Sequence, residues 1–155
     1  MIDEKVRFQF SSPTSSIIKV VGIGGGGTNA VNHMYESGIK DVDYIVCNTD
    51  AQALQYSPVP VKIQLGVTLT EGRGAGNLPE RGEEAAIENY DDIKKVLAEN
   101  TKMLFITAGM GGGTGTGGAP VIARLARELG ILTIAVVTIP SPAEGKKRYN
   151  QAFEG

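Results

Sequence analysis

Two runs of glycine constrain the fold of this 155-residue sequence more than any other feature. They span Gly22 to Gly27 and Gly109 to Gly118, and each follows a short apolar stretch and precedes a helical pattern. Glycine lets a ligand approach the backbone closely because it has no Cβ. The free amides and the dipole at a helix N-terminus attract anions. Both runs therefore predict phosphate-binding loops, each between a strand and a helix.

Short apolar stretches and helical patterns alternate along the rest of the chain. The predicted strands are 17–21, 44–47, 59–65, 103–107 and 131–137. The predicted helices are 28–37, 51–54, one that Pro79 opens after Asn77 as its cap, 91–99, 119–129 and 144–153. This order predicts an α/β fold, a Rossmann-like three-layer sandwich with a mainly parallel sheet. We expect residues 1–16 to form a flexible segment and residues 17–155 to form one domain.

The composition limits the kinds of binding partner and the cellular compartment that we expect. The 15 basic and 17 acidic residues give a net charge of −2, so no basic field exists to attract nucleic acid. Cys47 is the only cysteine and cannot form an internal disulfide, and no leader pattern opens the sequence. The longest apolar run, 131–137, has the length of a strand and is too short to span a membrane. We therefore expect a cytoplasmic protein without direct membrane contact.

The first glycine run alone leaves the function open. Its spacing Gly22-x-Gly24-x-x-Gly27 also matches the fingerprint of NAD-type dinucleotide-binding domains. Asp43 stands at about the distance at which such domains place the acid that binds the ribose. A dinucleotide-binding Rossmann domain, or a tight turn without a ligand, therefore remains an alternative.

The second run contains more glycine than a structural turn needs. Thr114 and Thr116 within it can donate hydroxyl hydrogen bonds to phosphate oxygens while the neighbouring amides surround the anion. No lysine follows the run, which excludes the P-loop pattern G-x-x-x-x-G-K-[ST]. A dinucleotide-binding domain does not need a second phosphate loop of this kind, so the run favours another class of nucleotide-binding protein.

Residues 109–120 resemble the signature loop of the tubulin/FtsZ family of GTPases, in the form found in its bacterial cell-division branch. Further segments resemble family motifs in the same order along the chain. These are 24–30, 48–54, 74–80 and 144–148. The match covers about 17–155. The stretch after the fifth predicted strand departs from the family pattern, because Ser141 and Ala143 stand where the family has two phenylalanines.

The resemblance implies a set of nucleotide-binding residues. Those expected to hold the phosphates are Gly25, Gly26, Gly27, Thr28, Asn29, Gly111, Gly112, Gly113, Thr114, Gly115, Thr116 and Gly117. Ala75 and Gly76 would lie near the γ-phosphate, and Glu144 and Arg148 would face the ribose and the base. Asp50 would orient a metal-bound water, or serve only as a helix cap.

The resemblance also implies cofactors and partners: GTP or GDP with Mg²⁺, self-association into filaments, and other proteins of the bacterial division ring at the division site. In the family the chain continues through another strand, a long central helix and a second domain, and a neighbouring subunit completes the active site. The acidic loop that activates water belongs to that continuation, so no catalytic residue is assigned here. We expect these 155 residues alone to bind nucleotide with little hydrolysis. A non-catalytic interaction or folding module is the remaining alternative.

Overall fold

A computed structural model describes residues 16–155 and confirms the alternating order of strands and helices. The strands are β1 Ile18–Ile23, β2 Asp43–Asn48, β3 Val61–Gln64, β4 Met103–Gly109 and β5 Leu132–Thr138. The helices are α1 Gly24–Glu36, α2 Ala51–Tyr56, α3 Val67–Thr70, α4 Pro79–Glu88, α5 Tyr90–Ala98, α6 Thr114–Glu128 and α7 Lys146–Glu154. A single 3₁₀ turn, Pro142–Glu144, precedes α7. All but the last residue of the segment predicted to be flexible lie outside the described residues.

The five strands form one parallel sheet in the order β3-β2-β1-β4-β5. This confirms the predicted sheet, and β3 lies at one edge, as the prolines at positions 58 and 60 indicate. Because all strands run in the same direction, their carboxyl ends lie along one edge of the sheet. The loops that follow the strands therefore meet there.

Helices cover both faces of the sheet and form two apolar clusters. On one face, α4 and α6 pack over β1, β4 and β5, with Ile93 and Leu97 of α5 in the same cluster. On the other face, α1 and α2 pack against the sheet around Val31 and Val46. This arrangement confirms the three-layer fold. Cys47 lies in the first cluster, where burial raises the pKa of its thiol to about 12 and makes the thiolate inaccessible at neutral pH.

The two glycine-associated helices begin earlier than their sequence predicts. Helix α1 starts at Gly24 instead of Thr28, and α6 starts at Thr114 instead of Ala119, so much of each glycine run is the first turn of a helix. Low intrinsic helix propensity is overridden here because the helices pack closely on their neighbours. One smaller expectation is wrong, because Asn77 does not cap α4. It adopts a φ of 59°, and Leu78 is the residue that precedes Pro79 at the start of the helix.

Strand β5 forms the second edge of the sheet and leaves apolar side chains uncovered. Leu132 and Val136 on one face are 62% and 61% exposed, and Val137 on the other face is 40% exposed. Helix α7, which follows β5 along the chain, has no buried residue. Among residues 16–155, no helix has the length and apolar character needed to cross a membrane.

Candidate functional site

A cavity of about 620 Å³ lies at the carboxyl ends of the strands. It opens between the neighbouring strands β1 and β4. From β1 the strands continue through β2 to β3 at one edge, and from β4 they continue to β5 at the other edge, so the direction of the strand order reverses between β1 and β4. Open parallel sheets bind their ligands at such a switch point. The volume lies within the range of small-molecule sites, roughly 300 to 1,000 Å³.

Two helix N-termini meet at this cavity. A methyl group placed on Gly24 at the start of α1 would lie 2.9 Å from the backbone nitrogen of Gly115, in the first turn of α6. One placed on Gly26 would lie 3.1 Å from the Cα of Gly109, at the end of β4. The first turn of a helix has amides without intrahelical partners, and its dipole favours negative charge. Two such turns at one cavity form a site for an anionic group.

The glycines of the loops divide into two groups by the space around them. A Cβ on Gly25, Gly74 or Gly76, which all line the cavity, would meet no atom within 4 Å. A Cβ on Gly27 would overlap the carbonyl oxygen of Thr107 in β4, and one on Gly117 would overlap the carbonyl oxygen of Pro79 in α4. The first group leaves the cavity open to a ligand, whereas the second allows the helices to pack closely.

The structure brings most of the residues expected from the sequence to the cavity. Those that line it are Gly25, Gly26, Asp50, Ala75, Gly76, Gly112, Gly113, Thr114, Gly115, Glu144 and Arg148. Those that do not line it are Gly27, Thr28, Asn29, Gly111, Thr116 and Gly117. Both loops therefore contribute, and so do the segments after β2, β3 and β5.

The two threonines of the second loop have different roles. Thr116 is buried, and its hydroxyl accepts a hydrogen bond of 2.8 Å from the amide of Gly111. This bond closes the loop on itself. Thr114, the first residue of α6, lines the cavity and has its hydroxyl 2.6 Å from that of Thr49. Thr114 is therefore the threonine of this loop that a ligand can reach.

Asp50 caps α2 and also lines the cavity. Its Oδ1 accepts hydrogen bonds from the amides of Gln52 and Ala53, at 2.9 and 3.0 Å. The expected helix-cap role is thus present. Only Oδ1 takes part in the cap, which leaves the second carboxylate oxygen, Oδ2, out of these two bonds.

Glu144 and Arg148 form the rim of the cavity on the side of β5. Arg148 Nη1 lies 3.5 Å from Glu144 Oε2, and both side chains are about half exposed. Glu144 Oε1 accepts a hydrogen bond from the amide of Ser141, in a capping box that the Ser141 side chain completes. Ser141 therefore positions Glu144. The exposed ion pair between Glu144 and Arg148 contributes little stability.

Several residues that line the cavity were not assigned to the site, although all but Thr138, Ile139 and Pro140 lie in the glycine run or the motif segments named from the sequence. They are Asn48, Thr49, Ala53, Gly74, Asn77, Gly109, Met110, Thr138, Ile139 and Pro140. Asn48, Gly109 and Thr138 are the last residues of β2, β4 and β5. The rule that ligands bind at the carboxyl ends of parallel strands could have identified these three.

The acid that supported the dinucleotide alternative lies at the wrong end of the sheet. Asp43 is the first residue of β2, whereas the cavity is at the last residue, Asn48. Asp43 instead accepts a hydrogen bond of 3.0 Å from the amide of Ser16. It cannot bind the ribose of a dinucleotide held by the loop after β1.

The hydroxyl of Thr28 provides a test of the expected site. It is buried in α1 and has no hydrogen-bond partner among the described residues, and Thr28 does not line the cavity. We expect Thr28→Val to raise the free energy of unfolding by about 1 kcal/mol, because an unsatisfied buried polar group is removed. Urea denaturation measures this. A drop in nucleotide affinity of the folded variant would instead show that the Thr28 hydroxyl contacts the ligand.

Comparison with known proteins identifies relatives over almost the whole described chain. The family model "Tubulin/FtsZ family, GTPase domain" matches residues 17–155. The cell division protein FtsZ of Porphyromonas gingivalis is 53% identical over all of this chain and 34% of its own length. The chain thus spans about a third of the length of the curated relatives it matches.

Solved structures agree with the sequence match. An FtsZ dimer from M. jannaschii, described as empty, superposes with a TM-score of 0.87 at 46% identity and covers 91% of this chain and 41% of its own. CetZ2 from Haloferax volcanii, solved as a protofilament with bound GTPγS, has a TM-score of 0.78 at 26% identity and covers 88% of this chain and 44% of its own.

Proposed function

This chain belongs to the tubulin/FtsZ family, and we propose that its cavity binds the guanine nucleotide GTP or GDP. The observation that carries the proposal is the meeting of two glycine-rich helix N-termini, those of α1 and α6, at one cavity. The relatives support the nucleotide class, because CetZ2 was solved with bound GTPγS. A cavity without a lysine among its lining residues fits phosphate binding by backbone amides.

Each wall of the cavity then has a role in binding. The amides of Gly25 and Gly26 in α1 and of residues 112–115 around the start of α6 hold the phosphates, since the first helical turn leaves them unpaired. Ala75 and Gly76 line the cavity and would face the terminal phosphate. Arg148 and Glu144 at the rim hold the ribose and base side, where a guanidinium and a carboxylate can bond to hydroxyls and ring atoms.

Mg²⁺ fits this site as a partner of the nucleotide. The described residues contain no group of three or more acidic, histidine or cysteine side chains that could hold a metal alone. Magnesium in nucleotide sites is held by one or two carboxylates, by waters and by phosphates. Asp50, which lines the cavity, would hold it through water. When bound, the ion offsets charge on the phosphates.

We propose the wider function at the level of the full-length relatives. They are cell division proteins, and one neighbour was solved as a protofilament. The complete protein would then polymerise, hydrolyse GTP at a site shared between subunits, and act in the cytoplasm with division-ring proteins. Phosphoryl transfer depends on positioned charges and an oriented water. These 155 residues alone would bind nucleotide and hydrolyse little of it.

Titration with a fluorescent guanine nucleotide, followed by competition, tests the proposal. We expect GTP and GDP to displace the probe, and NAD⁺ to leave it bound. Displacement by NAD⁺ alone would favour the dinucleotide alternative, and no binding would favour an interaction or folding module. Phosphate release, measured over a range of protein concentrations, is expected to stay near background. Strong release that rises with protein concentration would contradict the expected inactivity of this chain alone.

A further inference from the structure

Two buried hydroxyl groups at the wall of the cavity form a pair that the phosphate loops alone do not explain. Thr49 Oγ1 and Thr114 Oγ1 lie 2.6 Å apart. Thr49 follows β2 and has no exposed surface, whereas Thr114 begins α6 and is 9% exposed. The bond therefore connects the segment after β2 to the start of the helix that would hold phosphate.

The surroundings determine which hydroxyl is the donor. A hydroxyl pair has two protons, and its mutual bond uses one of them. Among the described residues, neither hydroxyl has another hydrogen-bond partner. Both residues line the cavity, but Thr49 has no exposed surface. If Thr114 were the donor, the proton of Thr49 would therefore be buried without an acceptor, which is costly. Thr49 therefore donates to Thr114, and the proton of Thr114 is left for an acceptor in the cavity.

The backbone holds Thr49 in place for this role. Its carbonyl oxygen accepts a hydrogen bond of 3.2 Å from the amide of Gly74. The segment after β3 is thereby joined to the residue that orients Thr114. A donor in a chain of hydrogen bonds is also strengthened by the bond it accepts.

We propose that Thr49 is a positioning residue that directs the Thr114 hydroxyl toward a phosphate oxygen of the bound nucleotide and strengthens it as a donor. This rests on the proposed nucleotide binding. Thr49 itself contacts no phosphate in this role, because its proton is used in the bond to Thr114. Loss of its hydroxyl should therefore affect only ligands that carry a phosphate.

A double-mutant cycle on the 155-residue protein tests the role of Thr49. We expect Thr49→Val to weaken GDP binding roughly tenfold, since a charge-assisted hydrogen bond loses its orientation. Adding Thr49→Val to Thr114→Val should cost little more than Thr114→Val alone, because both changes remove the same interaction. Guanosine, which lacks phosphate, should bind both proteins equally. Thr49→Ser, which keeps the hydroxyl, should bind GDP like the unchanged protein.

The control variant is Thr133→Val, which removes the hydroxyl that binds the Ile131 carbonyl, away from the cavity. It should leave GDP affinity unchanged. Equal GDP binding by Thr49→Val and the unchanged protein would overturn the role of Thr49 alone, as would equal losses for GDP and guanosine. No GDP binding by the unchanged protein would overturn the proposed function as well. If Thr49→Val does not fold, Thr49→Ala takes its place in the cycle.

Discussion

Replacement of Gly117 by alanine is expected to lower the free energy of unfolding by about 3 kcal/mol or to prevent folding. The added methyl group would overlap the carbonyl oxygen of Pro79 and lie 2.6 Å from the backbone nitrogen of Glu83. Both atoms belong to the backbone of α4, which no rotamer change can move. Helix α4 would have to separate from α6, and the packing of one face of the sheet depends on this contact.

Urea denaturation, followed by circular dichroism, measures the effect. Gly118→Ala is the matched control, since it adds the same methyl group one residue further along α6. There the methyl would lie 3.3 Å from a side-chain carbon of Ile23 and 3.8 Å from the carbonyl oxygen of Gly82 in α4, so it overlaps no backbone atom of that helix. We expect the control to change the free energy of unfolding by no more than about 1 kcal/mol, because alanine favours the helix by a similar amount. An unchanged urea midpoint for Gly117→Ala would contradict the close packing of α4 on α6.

The positions of the strands and the identity of both loops were predictable from the sequence, and the reason is physical. Strands β1, β2 and β4 contain the short apolar runs that a sheet covered on both faces requires, whereas β3 at the edge alternates apolar and polar residues. The loops are conspicuous because glycine loses more conformational entropy on folding than other residues, so long glycine runs are rare unless the backbone needs them. The start of α6 was not predictable, since propensity places five poor helix formers before Ala119 and only the contact with α4 explains the helix over them.

The separate roles of the loop residues could not be predicted from the sequence. Thr114 and Thr116 are two residues apart and chemically identical, yet one faces the cavity and the other closes the loop through Gly111. They differ only in where the first turn of α6 places each side chain. Thr49 was missed for a related reason, because its partner Thr114 is 65 residues away in the sequence. Contacts over such distances follow from the fold and are not visible in a local pattern.

Replacement of Gly25 by alanine is expected to weaken nucleotide binding roughly 10- to 100-fold without harm to the fold. Gly25 is exposed at the cavity, and a Cβ at this position would meet no protein atom within 4 Å. As a residue of α1, alanine there should keep or raise stability by up to about 1 kcal/mol. The methyl group would occupy the space through which a phosphate reaches the amides of α1. Loss of one or more charge-assisted hydrogen bonds, about 1.5 to 3 kcal/mol each, weakens binding roughly 10- to 100-fold or more.

Fluorescent nucleotide titration and urea denaturation on the same samples separate binding from folding. Gly118→Ala again serves as the control, because it does not line the cavity and should bind nucleotide normally. Gly25→Ala should then be folded with weakened nucleotide binding, whereas Gly117→Ala should be destabilised. Normal nucleotide affinity in folded Gly25→Ala would show that phosphate does not approach α1, and the site would rest on the start of α6 alone. The pair of variants thus tests directly whether Gly25, with open space around it, is needed for ligand binding, and whether Gly117, in close contact with α4, is needed for folding.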